Sequence, residues 1–195
     1  MAAVDLFWLP LGAGGSFVRL NGRIYEAVAA RLGRRRPCDL YHSALEVEVA
    51  EGTYVIEQTP VPDLSGAGRG AVAGGPVGSR WAGRLRVFRY EIRLWLGGSI
   101  PDVAEAVDSP RRLCRDEACA RRVLDAVPRV PTPVWGRDEL GTGEMWNSNS
   151  VIAWVLAEAG IDAAGVQPPA GGRAPGWRAG VTLAGSAPTA RPPAS

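Results

Sequence analysis

With 195 residues, 46 % of them apolar, the chain is sized for one domain built on one substantial core. All 22 basic residues are arginine and the net charge is only +2, so no basic domain stands out and nucleic-acid binding is not expected. No run approaches the roughly 18 apolar residues of a membrane span, which excludes a transmembrane helix from the expectation.

In chain order, Val4 to Leu9 reads as a short apolar strand ended by Pro10. Phe17 to Leu20 is extended, and Asn21 caps a predicted helix that runs to Leu32 and stops at Gly33. Arg34, Arg35 and Arg36 follow as a solvated basic cluster. Residues 41–49 alternate, with Leu45, Val47 and Val49 on one face and His42, Ala44, Glu46 and Glu48 on the other. A turn around Glu51-Gly52 leads into a second strand, Thr53 to Gln58, with Tyr54 and Ile56 expected opposite Val49 and Val47. That register pairs Glu57 with Glu46 and leaves His42 on the polar face of a hairpin.

Residues 59–83 hold seven glycines and three prolines and read as a long loop. Gly66-Ala67-Gly68-Arg69-Gly70 lacks the Gly-Lys-Ser/Thr ending of a phosphate-binding loop. Leu85 to Leu96 is the longest predicted strand, with a parity shift between Val87 and Ile92 that predicts a bulge or bend. Ser109 before Pro110 predicts the cap of a helix from Arg111 to Val127, with Leu113, Ala120, Leu124 and Val127 on one face.

Cys114 and Cys119 lie five apart on that predicted helix and point in different directions, so these two and Cys38 are expected as reduced thiols. A single histidine makes a zinc site of Cys and His ligands improbable, a magnesium site made only of carboxylates stays open, and the expected chemistry requires no cofactor or metal. The N-terminus carries Asp5 and Pro10 without a basic run, so it is not read as a signal peptide, and a soluble cytoplasmic protein is the expectation. Residues 1–164 are expected as a single globular domain. In residues 165–195, glycine, proline and alanine make up 19 of 31 positions. This reads as a tail, docked as a short extended piece around Trp177, Val181 and Leu183 and then disordered.

Two features bear on chemistry. The first is His42, the lone histidine, at the start of a strand. The second is Trp146-Asn147-Ser148-Asn149-Ser150, which leads into an apolar helix from Val151 to Ala159 whose one charge is Glu158. A helix so apolar is buried on nearly all sides. Its N-terminus presents free backbone N–H groups and a partial positive charge, which favour an anion or an oxyanion beside Ser148 or Ser150. Asn147, Ser148 and Asn149 are also good N-caps, and capping alone explains such a cluster.

The order of a histidine on an early hairpin strand, an acid on the next strand, and Asn-Ser before a buried helix resembles the circularly permuted branch of the papain-like, NlpC-type superfamily. That group includes bacterial peptidases and amidases, and acyltransferases of the lecithin retinol acyltransferase kind. The resemblance spans His42 to about Gly160 and implies an α+β fold, an antiparallel sheet packed on a central buried helix. It implies His42 as the base, Glu57 as the residue that orients it and Ser148 as the nucleophile, where the family has cysteine. That departure leaves three readings: a serine enzyme, an inactive relative, or a shift of two residues that favours Ser150. The expected function is hydrolysis or acyl transfer at an amide or ester of a small-molecule, lipid or peptide substrate. The alternative is an inactive domain of the same type that binds a peptide, lipid or protein partner.

Overall fold

The computed structural model describes residues 2–11, 37–61 and 70–186. Six strands form one antiparallel sheet: β1 (Ala3–Pro10), β2 (Tyr41–Val49), β3 (Gly52–Pro60), β4 (Ala71–Pro76), β5 (Arg89–Leu96) and β6 (Val107–Cys114), in the order β4-β5-β3-β2-β1-β6. Three helices follow: α1 (Glu117–Ala126), α2 (Ser148–Glu158) and α3 (Trp177–Ser186). The fold is α+β. None of these helices is long and apolar enough to cross a membrane.

Alternation gives the sheet two unlike faces. Val4, Leu6 and Trp8 of β1, Tyr41, Leu45 and Val47 of β2, Ile56 of β3, and Tyr90 and Ile92 of β5 share one face with the apolar side chains of α1 and α2, and together they make the main core. This is the helix face. Phe7 and Leu9 of β1, Ala44 of β2 and Val55 of β3 point the other way and pack with Ile100 in a second, smaller cluster. This is the far face. The interior strand β1, between β2 and β6, is buried on both faces, as a near-continuous apolar run requires.

The helix from Val151 onward is buried as its composition demands: Val151, Ile152, Ala153, Val155 and Leu156 are closed to solvent. Other expectations need correction. The hairpin turns through Ala50 and Glu51, so Val49 pairs with Gly52, Val47 with Tyr54 and Leu45 with Ile56. The register is two residues tighter than expected, and Gly52, with φ at +137°, supplies the backbone that a tight turn needs. The presumed loop of residues 59–83 contains β4, an edge strand of small residues that alternation could not mark. The long strand begins at Arg89. Leu85 and Val87 sit before it in two 3-10 turns, so the parity shift marks a boundary and not a bulge.

The helix expected from Arg111 is strand up to Cys114. Pro110 lies in β6 at the sheet's edge, where a missing N–H is tolerated, and the Ser109 hydroxyl accepts from the Trp8 N–H at 2.8 Å instead of capping a helix. α1 starts at Glu117, capped by Asp116, whose carboxylate accepts from the Cys119 N–H at 2.8 Å. Cys114 and Cys119 therefore meet across a strand-to-helix corner, with Cα atoms 6.8 Å apart, and are joined as a disulfide. The globular part also runs past residue 164. Residues 177–186 form a helix, not an extended piece, and Trp177 belongs to the main core. The helix predicted at Asn21–Leu32, Phe17 to Leu20 and the Arg34–Arg36 cluster lie outside the described residues, as does the end of the tail.

Candidate functional site

The N-terminus of α2 is held by a reciprocal capping box. The Asn147 side-chain oxygen accepts from the N–H groups of Asn149 (2.9 Å) and Ser150 (3.3 Å). The Ser150 hydroxyl in turn accepts from the Asn147 N–H (3.1 Å) and donates to the Gly176 carbonyl (2.8 Å). Ser150 is fully buried and committed to this cap. Two of the backbone donors that would serve an oxyanion here, the N–H groups of Asn149 and Ser150, are already used by Asn147.

The segment before α3 closes over this end of the helix. The Pro175 carbonyl accepts from the side-chain amides of Asn147 (2.8 Å) and Asn149 (2.9 Å), and the Gly176 N–H donates to Glu144 (2.9 Å). Gly176 has φ at +85°, and a Cβ there would fall 2.5 Å from the Asn147 carboxamide, so only glycine lets the chain pass. Gly180 plays a similar part inside α3: a Cβ would collide with the Ser150 carbonyl, so its absence lets α2 and α3 approach closely.

The expected trio is split between the two faces of the sheet. Ser43, not His42, faces α2: its buried hydroxyl donates to the Asn149 side-chain oxygen at 2.9 Å, and the Asn149 amide donates to the Tyr41 carbonyl at 2.9 Å. His42 lies opposite Leu9 on β1 and shares the far face with Ala44. Glu57 also lies on the far face, paired with Arg93 on the neighbouring strand, with its carboxylate 3.8 Å from the guanidinium. Ser148, at the first turn of α2, is on the helix side and makes no side-chain hydrogen bond among the described residues. The fold thus brings His42 and Glu57 to one face and Ser148 to the other.

The residues one position further along the chain, Ser43, Gln58 and Asn149, lie on the helix side. Ser43 and Asn149 are hydrogen-bonded. Gln58 follows Ile56 on the same face of β3, just as Ser43 precedes Leu45 on β2, and both atoms of its buried carboxamide lack a partner. The indole N–H groups of Trp8 and Trp146 are likewise buried; that of Trp8 has no partner, and that of Trp146 is directed at the Tyr90 hydroxyl outside hydrogen-bond geometry. Trp8 stacks at a tilt on Trp177, with centroids 5.0 Å apart. Ser43 and Asn149 hold and donate hydrogen bonds, and none of Ser43, Asn149 and Gln58 titrates in the range where a general base works.

Electrostatics follow the same division. Burial pushes the His42 imidazole below its ordinary value, against an opposing pull from the Asp102 carboxylate. Among the described residues, no carboxylate is hydrogen-bonded to it. Burial, and then the Asp5 charge, raises Glu46 on the same face. On the helix face burial raises the Tyr90 hydroxyl well above its usual range, partly offset by the Trp146 indole directed at it. That hydroxyl donates to the Pro133 carbonyl at 2.8 Å. Among the described residues, no group of three or more histidine, cysteine or carboxylate side chains is placed to hold a metal ion.

The signal that would have found Ser43 was present in the sequence. A helix apolar on all sides must pack against the apolar face of the hairpin, which is the Leu45–Val47 face and not the His42 face. Comparisons with known protein families, with curated proteins and with solved structures find no match to this chain.

Proposed function

We propose that this chain is a non-catalytic binding domain, a divergent relative of the permuted papain-like enzymes that keeps a helix on an antiparallel sheet without the acid–base chemistry. The observation that carries the reading is the hydrogen bond between Ser43 and Asn149. These two side chains meet where strand and helix N-terminus face each other, the place where such an enzyme would set base against nucleophile. Neither can accept a proton from a nucleophile and release it to a leaving group near neutral pH. The capping of Ser150 and the cover provided by Pro175 and Gly176 support the same reading.

A serine-directed fluorophosphonate probe, read by intact-protein mass spectrometry, tests it. No adduct is expected on the full chain. In a folded Ser148→Cys variant the new thiol should react with iodoacetamide no faster than an ordinary exposed cysteine, because no imidazole faces it. Labelling of the parent that disappears in Ser148→Ala and in His42→Ala would overturn the proposal in favour of a serine hydrolase or acyltransferase.

A further inference from the structure

The surface just before β5 stands apart among the described residues. Arg80 to Arg89 spells four arginines among Trp81, Leu85, Val87 and Phe88, with no acidic residue between Val77 and Tyr90. Trp81 is 73 % exposed, Val87 58 %, Leu85 55 % and Phe88 44 %, the densest run of exposed large apolar side chains among the described residues. Exposed apolar patches of this kind mark interaction sites.

The segment is not a loose loop. Its backbone is fixed by two 3-10 turns: the Leu85 N–H donates to the Ala82 carbonyl (2.9 Å) and the Phe88 N–H to the Leu85 carbonyl (3.0 Å). The Val77 N–H ties it to the edge strand through the Phe88 carbonyl (2.8 Å), and the Ser79 hydroxyl accepts from the Ala82 N–H (3.1 Å). Arg89 anchors the first turn by donating to the Gly83 carbonyl (3.2 Å). The ledge therefore presents its apolar side chains with little ordering left to be done, which favours binding.

The nearby acids are spoken for. Glu139 pairs with Arg80, and Glu91 lies 3.6 Å from Arg93. Arg84 and Arg86 have no carboxylate partner among the described residues and alternate with Leu85 and Val87. Arg86 and Arg89 also line a groove of about 460 Å³ together with Ala71 to Gly74 of the edge strand and with Glu91. A complementary partner must offer negative charge and an apolar phase side by side. A lipid leaflet with anionic headgroups does so: aromatic and aliphatic side chains enter at the headgroup boundary, while arginines reach the phosphates on extended stems.

We propose that the Arg80–Arg89 ledge docks this protein on the surface of an anionic lipid bilayer. This names the partner for the binding function proposed above and rests on it. Co-sedimentation of the full chain with phosphatidylcholine vesicles, with and without phosphatidylserine, is the test. Binding is expected only with phosphatidylserine and should weaken as salt is added. Arg84→Gln and Arg86→Gln should each lower the affinity about fivefold, and Trp81→Ser with Phe88→Ser should lower it further without changing the melting temperature. Equal binding to both vesicles, no binding to either, or binding unchanged in these variants overturns the proposal; an acidic protein partner would give the second result. Fluorophosphonate labelling of the same preparation separates the two failures. An adduct sinks the non-catalytic reading, whereas absent vesicle binding with no adduct sinks only the bilayer.

Discussion

The helix face and the far face belong to the same six strands, yet they are built for different ends. Among the described residues, the core between the helix face and its helices joins 27 buried apolar side chains from both layers, and it is closed at one end by the Asn147 capping box. The far face buries only five, and around them sit His42, Glu46, Glu57 and Arg93. Charged groups thus collect where the apolar core is thin, and the buried helix N-terminus is lined by amides, hydroxyls and indoles, with the Glu144 carboxylate tied to the Gly176 N–H beside it. A helix N-terminus alone therefore does not make a catalytic centre. A base must share its side of the sheet.

The largest expected effect sharpens this contrast in stability. Leu156 in α2 and Leu9 in β1 are both closed to solvent. Leu156→Ala should cost about 3–5 kcal/mol and Leu9→Ala about 2–3 kcal/mol, because the larger cluster leaves the larger unfilled space. Equilibrium urea denaturation measures both. An equal or greater loss at Leu9 would mean that the far face is as much a core as the helix face.

The second comparison is between neighbours in α2. Asn149→Ala removes partners from the Ser43 hydroxyl and from the Tyr41 and Pro175 carbonyls, and should cost about 2–3 kcal/mol. Ser148→Ala should stay within about 0.5 kcal/mol. The reverse order would move the structural duty to Ser148 and weaken the assignment of Asn149 as the helix's tie to the sheet.

How much of this was legible in the sequence depended on how many faces an element shows. Val151 to Leu156 is apolar all round, and its burial needed no other information. The β2 alternation was equally clear. What was lost was the relation between the two: the motif order drew attention to His42, while the apolar parity of Leu45 and Val47 already placed the helix behind it. β4 and α3 were hidden for another reason. Ala71-Val72-Ala73-Gly74-Gly75-Pro76 pairs through its backbone to β5, and Gly180 in α3 is there to admit α2, so both elements are selected by tertiary contact against their own propensities. The Cys114–Cys119 pair was masked by reading a strand-to-helix corner as one helix.

A smaller effect concerns Gln58, whose buried carboxamide has no partner for either atom. Gln58→Leu should leave stability unchanged or raise it by up to about 1 kcal/mol, since an unmet polar group is replaced by an apolar one of similar size. A loss of about 1 kcal/mol or more would mean that water or a ligand satisfies this amide in solution. The helix face would then contain a polar cavity beside Ser43.

The last test uses pH to probe the far face. Burial lowers His42, so as pH falls the unfolded chain binds the imidazole proton before the folded one does. Its contribution to stability is therefore fully present above about 6.5, the ordinary imidazole value, and is lost as pH falls from there through the lower folded value. Glu46 acts with the opposite sign. Its folded value is raised, so the folded chain takes up that proton first and gains stability as pH falls toward the ordinary carboxylate range. A parent curve alone would mix the two slopes. His42→Gln keeps Glu46 and removes only the imidazole, so the difference between parent and variant isolates His42. Chemical denaturation between about pH 7 and pH 5 should show the parent losing stability relative to the variant. Parallel curves would mean that the imidazole faces open solvent. A parent that gains stability on acidification would mean that the pull of Asp102 outweighs burial, and that the far face holds a histidine–carboxylate pair.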